Sequence, residues 1–560
     1  MHSALSSPTR YPQTAMTAST QPSTHYDAVV IGAGFAGLYM LHRLRGLGMR
    51  TRVFEAGDGI GGTWYWNCYP GARCDVDSMQ YCYSWSDELQ REWQWTERYP
   101  TRDEILRYVN HVAERFDLNR DISLNARVVA GRWLTDAGTW QIDIERGPTV
   151  SARFIITATG CLSESRVPAI KGLEQFKGQT YHTGRWPKTP VSFAGKRVGV
   201  MGTGSSGIQA IPEIAREARE LVVFQRTPNF SIPAWNGPID PAHKQHWMAN
   251  YPDLRERARN TRSGILYDYG TRSGVSMTPA ERQEEMDSRW RKGGANFVHA
   301  FNDTFVNPES NQFLADYVRD KIRQTVKDPA TAHKLLPNDH PIGTKRICVD
   351  SSYFEAFNRH NVTLVDLRND PITGFEEHAV LTRSSRHELD AMVFATGYDA
   401  VTGALERLNL RGETGQSLRE IWKDGPTSYL GLMTAGFPNL FTITGPGSPS
   451  ILTNVIVSIE QHVDWIADCL QHMQSNQLER IEPQPAAQDR WVAKVQEIAT
   501  GTLFVKANSW YMGANIPGKP RVFLPFIGGF STYVAICRDV VSKGYEGFAF
   551  SALASQSSCS

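Results

Sequence analysis

A glycine-rich turn near the N-terminus is the feature that most restricts the fold of this chain. The apolar run Ala28–Ile31 leads into the hexapeptide GAGFAG, which supplies Gly32, Gly34, Phe35 and Gly37. A continuous apolar run is typical of a parallel strand that is buried on both faces of a sheet. In such a strand–turn–helix unit the first glycine makes the tight turn. The second lets the backbone approach a pyrophosphate, and the third lets helix and strand pack closely.

An acidic residue at the end of the next predicted strand supports a nucleotide site. That strand is Thr51–Phe54, and Glu55 follows it, 23 positions after Gly32. At about this distance a carboxylate accepts a hydrogen bond from a ribose hydroxyl group, while the amino end of the helix faces the anion. The sequence therefore predicts a dinucleotide site here. The alternative is a turn whose glycines serve packing alone.

A second unit of the same design begins at the apolar run 197–201. Its turn consists of Gly202, Thr203, Gly204, Ser205, Ser206 and Gly207. The next predicted strand, Leu221–Phe224, ends in Gln225, Arg226 and Thr227 rather than in an acid. A planar guanidinium forms strong bidentate bonds to phosphate, so Arg226 fits the 2′-phosphate of NADP. We therefore expect the first unit to bind FAD or NAD and the second NADPH; a second unit with a packing role alone is the alternative.

The segment after the first acid is rich in glycine and aromatic residues. It contains Gly62, Thr63 and Trp64, continues through Tyr69-Pro70-Gly71 and ends at Asp75. Such a backbone can run close along a flavin ring. From the residues alone, a surface loop with aromatic packing remains an equal alternative.

Composition and charge narrow the function class. The chain has 560 residues, of which 41% are hydrophobic and 21% charged, as is typical of a soluble globular enzyme. A net charge of +1 argues against a dedicated binder of nucleic acids or acidic membranes. No apolar run approaches the ~18 residues of a membrane helix.

The eight cysteines do not form a recognisable motif. Without a CxxC pair neither a zinc ribbon nor any other metal site is predicted, and scattered thiols fit the reducing cytoplasm. Cys68 and Cys74 flank a proline and a glycine that break any helix between them. We therefore do not expect a redox disulfide at this place.

These features predict an α/β protein with two Rossmann-like dinucleotide-binding domains, for FAD and NADP, and a helical insertion. The predicted segments are a disordered tail over 1–25, the first part of the FAD-binding domain over 26–150, a linker with the first part of the NADP-binding domain over 151–235, the insertion over 236–340, the second part of the NADP-binding domain over 341–389, the second part of the FAD-binding domain over 390–550, and a tail over 551–560. Two apolar strands end in Ala-Thr-Gly, at 158–160 and 395–397. They predict two crossings between the domains, with Thr396 and Gly397 near a cofactor.

The predicted insertion is based on a change of pattern after residue 235. Charged residues become frequent and strand patterns disappear. Thr278-Pro279-Ala280-Glu281 forms a capping box with proline at the first helical position. The stripe from Leu314 to Val326 has apolar residues four positions apart, which predicts the core face of a helix.

A longer motif lies between the two glycine turns. Its fixed positions are Phe176, Gly178, His182, Trp186 and Pro187. This FxGxxxHxxxWP pattern resembles the fingerprint of type I Baeyer–Villiger flavin monooxygenases. The glycine–tryptophan segment that ends at Asp75 resembles the second signature of that family. The likeness runs from about residue 26 to residue 550.

The resemblance implies a reaction and its cofactors. NADPH reduces FAD, O2 adds to give a C4a-peroxyflavin, and a ketone becomes an ester or a lactone. Arg346 resembles the catalytic arginine of the family, and Asp75 resembles the carboxylate that holds it. A fixed cation would stabilise a peroxide anion and then the oxyanion of the adduct. Tyr81 is expected beside the flavin.

The same resemblance implies further contacts. Arg226, Thr227 and Lys345 resemble the contacts to the 2′-phosphate of NADP. Trp510 resembles the loop residue that closes over NADP and substrate. His182 resembles the fingerprint histidine, to which we assign a role in the linker or in domain motion rather than in proton transfer.

A substrate pocket is expected after the turn Gly445-Pro446-Gly447. Its predicted wall consists of Ser450, Ile451, Leu452 and Val455. In the family this loop bulges toward the space above the flavin. The alternative is that Ile451 and Leu452 pack inward as the core of the loop. Ile451 and Cys68 both depart from the family pattern, so the substrate range stays open.

The main functional prediction is NADPH- and O2-dependent oxidation of ketones. The alternatives are N- or S-oxygenation by the same flavin chemistry, and a FAD-binding redox-sensing or interaction protein without turnover. The expected partners are a ketone and molecular oxygen, without nucleic acid or membrane. A monomer or weak dimer in the cytoplasm is expected.

Overall fold

The computed structural model describes residues 24–552, so the tails predicted over 1–25 and 551–560 lie almost wholly outside the described residues. Within this range the strands, in chain order, are β1 His25–Ile31, β2 Thr51–Phe54, β3 Ile122–Ser123, β4 Val128–Leu134, β5 Thr139–Ile144, β6 Val150–Thr157, β7 Gln179–His182, β8 Arg197–Met201, β9 Glu220–Gln225, β10 Ser231–Pro233, β11 Cys348–Asp350, β12 Val362–Asp366, β13 Ile372–Glu376, β14 Ala379–Thr382, β15 Arg386–Glu388, β16 Ala391–Phe394, β17 Leu410–Arg411, β18 Leu440–Thr442, β19 Arg480–Pro483 and β20 Phe548–Ser551.

The α-helices of the same range are α1 Phe35–Gly46, α2 Thr63–Trp66, α3 Asp87–Glu92, α4 Arg102–Arg115, α5 Ser205–Glu217, α6 Pro241–Arg259, α7 Pro279–Lys292, α8 Pro308–Thr325, α9 Pro329–Leu335, α10 Tyr353–Ala356, α11 Gly403–Arg407, α12 Leu418–Ile421, α13 Val455–Ser475, α14 Pro485–Thr500 and α15 Phe530–Ser542. None of these helices is both long enough and apolar enough to cross a bilayer.

The first glycine turn lies at the centre of an eight-stranded sheet. The strand order is β17-β4-β5-β6-β1-β2-β3, and β18 also pairs with β6. Strand β1 lies between the parallel strands β2 and β6, and α1 connects β1 to β2. Residues 28–31 of β1 are buried, which explains their continuous apolar run. Helix α1 packs on α13, so an element from the C-terminal part of the chain covers this sheet.

The second glycine turn lies in a five-stranded parallel sheet. Its order is β12-β9-β8-β16-β7. Helix α5 connects β8 to β9 as α1 connects β1 to β2, and both predicted strands of this unit are present. In open parallel sheets ligands bind at the carboxyl ends of the strands, which places both glycine turns at binding edges.

Two predicted domain boundaries are wrong by one strand each. Strand β6 was predicted to open the second segment at residue 151, but it pairs with β1 and belongs to the first sheet. Strand β16 was predicted to belong to the returning FAD-binding domain from residue 390, but it pairs with β7 and β8. Both strands end in Ala-Thr-Gly. Only their pairing partners, which are distant in sequence, distinguish them.

The chain is helical over most of the segment 236–340, which lies between strands β10 and β11. Strand β1 begins at His25, one residue before the predicted start of the first domain. In the predicted insertion the described elements are the helices α6 to α9 and short 3₁₀ turns. The capping box at Thr278 is present, because its hydroxyl oxygen accepts from Glu281 N and Thr278 N donates to the carboxylate of Glu281.

Candidate active site

A cavity of about 1600 Å³ lies between the two sheets. Both glycine turns, the glycine–tryptophan segment, both Ala-Thr-Gly turns and the loop before α13 contribute to its wall. The predicted site residues that line it are Gly32, Gly34, Phe35, Glu55, Gly62, Thr63, Trp64, Asp75, Tyr81, Gly202, Thr203, Gly204, Ser205, Ser206, Arg226, Thr227, Lys345, Arg346, Thr396, Gly397, Ser450, Ile451, Val455 and Trp510. The fold therefore brings together residues that are several hundred positions apart.

The third glycine of each turn lies outside the cavity wall and has a packing role. A Cβ atom at Gly37 would lie 1.9 Å from the carbonyl oxygen of Gly32, and a Cβ atom at Gly207 would lie 2.1 Å from that of Gly202. Neither distance is possible for real atoms, so each helix approaches its turn as closely as glycine alone allows. The predicted close packing of helix and strand is therefore present in both units.

Glu55 provides a buried carboxylate at the first turn. Its side chain accepts from Ala33 N through Oε2 and from Gly57 N through Oε1, each at 2.8 Å. The residue is only 5% exposed and lines the cavity. Each oxygen still has a free lone pair for a ribose hydroxyl group. The first unit thus fits the adenosine part of FAD.

The glycine–tryptophan segment is a wall of the cavity rather than a surface loop. Gly62 faces the first turn so closely that a Cβ atom there would lie 3.0 Å from Gly34 Cα. Trp64 is buried and donates from Nε1 to Tyr81 Oη at 3.2 Å. The hydroxyl group of Tyr69 donates to Gln209 of α5, which ties the segment to the second unit.

The second turn is open toward the cavity. Gly202 has φ +109°, a conformation that glycine tolerates best, and a Cβ atom at Gly204 would meet nothing within 4 Å. Thr203 donates from Oγ1 to Thr227 O at 3.0 Å, which joins the turn to the end of β9. This open backbone, followed by the exposed Arg226, fits the phosphates of NADP.

Lys345 and Arg226 belong to a cluster of positive charges that also contains Arg368. Burial lowers the pKa of Lys345; the carboxylate of Asp339 raises it, and the charges of Arg226 and Arg368 lower it further. Neither Arg368 nor Asp339 was predicted as a site residue. Arg368 comes shortly after β12, and β12 pairs with β9, so the sequence signal existed but required the strand pairing.

The predicted catalytic pair is formed. Arg346 donates from Nε to Asp75 Oδ2 at 2.9 Å and from Nη2 to Asp75 Oδ1 at 2.7 Å. Nη1 donates to Ile451 O at 3.3 Å. The Asp75 carboxylate raises the pKa of Arg346, so the guanidinium is a permanent cation. Because a guanidinium has five N–H groups, about two remain for a ligand in the cavity.

Three buried phenol groups, of which only Tyr81 was predicted as a site residue, accompany this pair. Burial raises the pKa of Tyr81, Tyr267 and Tyr511, and all three interact with the charges of Arg346 and Asp75. These phenols therefore keep their protons at neutral pH and add no negative charge that would compete for the guanidinium. Of the three only Tyr81 was a predicted site residue, since tyrosines in helical or irregular segments carry no motif of their own.

His182 and the other motif residues lie beside the cavity, not in its wall. His182 Nδ1 accepts from Gly184 N at 3.0 Å, so Nε2 carries the proton and donates to Arg166 O at 3.2 Å. Thr396 donates to the same oxygen. Burial lowers the pKa of His182 to about 4, which makes the imidazole neutral and agrees with a structural role.

The remaining motif residues form apolar contacts. Phe176 packs edge-on against Phe375, and a Cβ atom at Gly178 would lie 2.4 Å from the Phe176 ring. Trp186 stacks on Tyr181 with ring centroids 5.1 Å apart. The carbonyl oxygens of Trp186 and Pro187 each lie 3.6 Å from Cys68 Sγ.

Of the four residues predicted to form the pocket wall, Ser450, Ile451 and Val455 line the cavity and Leu452 does not. The carbonyl oxygen of Ile451 accepts from Arg346. Leu452 was predicted to face the ketone, but it is not among the residues that line the cavity, although both it and Ile451 pack against the apolar cluster that contains Phe504 and Phe523. The two residues lie in one 3₁₀ turn, Ser450–Leu452, where neighbouring side chains point in different directions. The hydroxyl group of Ser450 forms hydrogen bonds with the hydroxyl groups of Ser448 and Ser458.

The seven cysteines between residues 24 and 552 are all unpaired, Cys68 and Cys74 included. In that range no group of three or more histidine, cysteine or acidic side chains is arranged to hold a metal ion.

Comparison with known proteins agrees with this geometry. Residues 26–234 match the flavin-binding monooxygenase-like family. The chain is 40% identical over 524 residues to a Baeyer–Villiger monooxygenase of Pseudooceanicola batsensis, covering 93% of this chain and 95% of that protein. It is 41% identical over 529 residues to phenazine N-monooxygenase of Lysobacter antibioticus, with 94% and 97% covered.

A solved structure of oxidised steroid monooxygenase bound to NADP matches with a TM-score of 0.90 and 47% identity, covering 94% of this chain and all of that one. With such identities over nearly the whole length, the chain belongs to the Baeyer–Villiger family of FAD-containing, NADPH-dependent monooxygenases, which oxidise ketones to esters or lactones.

Proposed function

We propose that Arg346, held by Asp75, is the catalytic residue with which this enzyme oxidises ketones. The observation that carries the proposal is the bidentate pair at 2.7 and 2.9 Å, which fixes a permanent cation in the cavity wall. A planar ion pair restricts the guanidinium to one orientation. The protein, and not the solvent, then sets the direction of the about two N–H groups of Arg346 that remain for a ligand.

The two glycine turns are proposed to hold the two cofactors. Glu55 and the first turn would hold FAD, and Arg226, Thr227 and Lys345 would hold the 2′-phosphate of NADP. Bound FAD, reduced by NADPH, supplies activated oxygen; one oxygen atom of O2 enters the ester and the other leaves as water. Trp510 lines the cavity and is proposed to close it over the nicotinamide and the substrate.

The role of Arg346 is electrostatic. As a ketone carbonyl is attacked, its oxygen becomes an oxyanion, and a preorganised cation stabilises that charge more than it stabilises the neutral ketone. Asp75 is a positioning residue, because both of its oxygens are taken up by the guanidinium. Ile451 O supplies the third fixed contact of the arginine.

The variants Arg346→Ala and Arg346→Lys test this role. Arg346→Ala should retain FAD and form ester roughly 10²–10³-fold more slowly, since losing one oxyanion-stabilising group typically costs ~10²–10³ in rate. Arg346→Lys keeps the charge without the planar fork and should recover only part of the rate. FAD content by absorbance and ester yield by mass spectrometry give the result. Near wild-type ester formation by Arg346→Ala would exclude the assignment.

N-oxygenation is the second candidate, because phenazine N-monooxygenase is among the similar proteins. Product analysis with a ketone panel, an amine, a sulfide and phenazine separates the two activities. We expect ester products to dominate. Oxidised nitrogen or sulfur products in the absence of any ester would favour the second candidate. The predicted monomer or weak dimer is measured on the same samples by light scattering.

A further inference from the structure

The strand register places Arg368 at the proposed 2′-phosphate site. Strands β9 and β12 are parallel neighbours, and Gln225 pairs with Asp366. Leu367 N then donates to Gln225 O at 2.8 Å. The residues that follow both strands therefore meet at the same edge of the sheet, which is the binding edge of such folds. Arg226 and Arg368 each lie two or fewer positions beyond this pair.

The side-chain contacts agree with that placement. Arg368 Nη2 lies 3.5 Å from Thr227 Oγ1 and donates to Asp339 Oδ2 at 2.5 Å. The other oxygen of Asp339 contacts His340 Nδ1 at 2.6 Å. Arg368 is thus held beside Thr227 by a carboxylate that is itself fixed.

The charges of this cluster do not balance. Arg226, Lys345 and Arg368 are three cations, and Asp339 is the one carboxylate among the groups that act on Lys345. Burial would raise the pKa of Asp339, but the hydrogen bond from His340 and the charges of Lys345 and Arg368 lower it, so the carboxylate is ionised. Burial lowers the pKa of His340, whose imidazole is neutral at neutral pH. Among the groups that act on Lys345, two further cations therefore face one carboxylate, while the carboxylate of Asp366 accepts from Arg368 N at 3.1 Å.

We propose that Arg368 is a third specificity-determining cation for the 2′-phosphate of NADPH, positioned by Asp339. The inference rests on the proposed phosphate site at Arg226, Thr227 and Lys345. A phosphate monoester carries about −1.5 to −2 charges at neutral pH, which a group of three cations can stabilise. With Arg368 left out, two cations and the carboxylate of Asp339 would remain.

Asp339 explains how such a cluster is stable before the nucleotide binds. Three cations crowded together repel one another, and burial of Lys345 raises that cost. A single carboxylate relieves part of the repulsion and fixes the arginine, while leaving enough positive charge for the phosphate. In an ordinary surface ion pair, by contrast, one carboxylate neutralises one cation and no net charge remains.

The test compares four purified holoenzymes by steady-state kinetics with NADPH and with NADH. They are the wild type, Arg368→Gln, Arg226→Ala and the control Arg359→Gln. Arg359 is an exposed arginine just before β12, at the opposite end of the same strand. Inhibition by 2′,5′-ADP and by 5′-AMP gives a readout that does not depend on turnover.

For Arg368→Gln we expect the KM for NADPH to rise roughly five- to tenfold, with kcat and the KM for NADH unchanged. This factor lies between the loss expected for a solvent-exposed charge contact and the loss expected for a desolvated one. Inhibition by 2′,5′-ADP should weaken by the same factor and that by 5′-AMP should not. Arg359→Gln should match the wild type. An unchanged ratio of NADPH to NADH efficiency in Arg368→Gln overturns the inference.

The measurements on Arg226→Ala show whether a negative result concerns Arg368 alone or the whole proposed phosphate site. If Arg226→Ala narrows the nucleotide preference and Arg368→Gln does not, only the inference about Arg368 fails. If neither variant changes the preference, the phosphate lies elsewhere and the proposed site fails as well. Equal rises of KM for both nucleotides in Arg368→Gln would assign the Arg368–Asp339 pair a purely structural role.

Discussion

The two glycine turns are nearly identical in geometry, whereas the strands that follow them end in opposite charges. Gly32 and Gly202 have φ angles of +107° and +109°, and Cβ atoms at these positions would lie 2.6 and 2.4 Å from the carbonyl oxygens of Ala158 and Ala395. The first unit continues to the buried Glu55, and the second to the exposed Arg226. In the proposed account, the turn sets where a pyrophosphate can lie, and the residue after the second strand selects between a ribose hydroxyl group and a phosphate.

The largest expected effects come from the third glycines. Gly37→Ala should give protein with little bound FAD, because the new Cβ atom overlaps backbone that cannot move without shifting helix α1. Gly207→Ala should keep FAD and raise the KM for NADPH by roughly a hundredfold, since shifting the helix removes several phosphate contacts at once. FAD absorbance and NADPH kinetics measure the two losses.

Gly46→Ala is the matched control for this pair. It lies in the same helix as Gly37, and a Cβ atom there meets nothing within 4 Å. It should bind both cofactors normally. Loss of FAD from Gly207→Ala, or equal effects of the two glycine variants, would show that the units do not divide the cofactors as proposed.

Arg226→Ala tests whether the residue that follows β9 determines the preference for NADPH over NADH. We expect the ratio of kcat/KM for NADPH over NADH to fall roughly ten- to a hundredfold, because charge-assisted bonds to phosphate are worth ~1.5–3 kcal/mol each. Arg219→Ala, just before the other end of β9, is the control. An unchanged ratio would remove Arg226 from the phosphate site.

The pocket loop gives the smallest effect. Ile451→Ala should change the ranking of ketones by size roughly three- to tenfold while NADPH-driven flavin reduction stays the same. Leu452→Ala should keep the ranking and lower the free energy of unfolding by about 1–2 kcal/mol, because this side chain is packed but not fully buried. The kinetics with a panel of ketones and the melting temperatures of both variants distinguish a role in the pocket wall from a role in packing. A changed ranking in Leu452→Ala alone would reverse the two roles.

Much of the fold and family followed from local patterns. The glycine turns, the strands around them and the capping box depend on residues close in sequence, and the predicted fold class, cofactors and ketone oxidation are confirmed. The hypothesis of a flavoprotein without turnover is wrong, because the family consists of enzymes. The individual roles of the site residues stay predictions.

What the pattern missed depends on distant contacts. The strands β6 and β16 have the same ending, and only their partners β1 and β8 assign them to different sheets. Arg368 follows an ordinary strand and gains its significance from the neighbouring β9. Leu452 points away from the cavity because of a single turn of 3₁₀ helix, which apolarity alone does not reveal.

The most direct test of the catalytic assignment is a double-mutant cycle on Asp75 and Arg346, with ester formation per bound FAD as the readout. If Asp75 acts by holding the guanidinium, Asp75→Ala costs roughly tenfold or more in the wild type and nothing further in Arg346→Ala. The double variant should therefore equal Arg346→Ala. Losses that multiply, with the double variant slower than the wild type by the product of the two single-variant factors, would contradict the account.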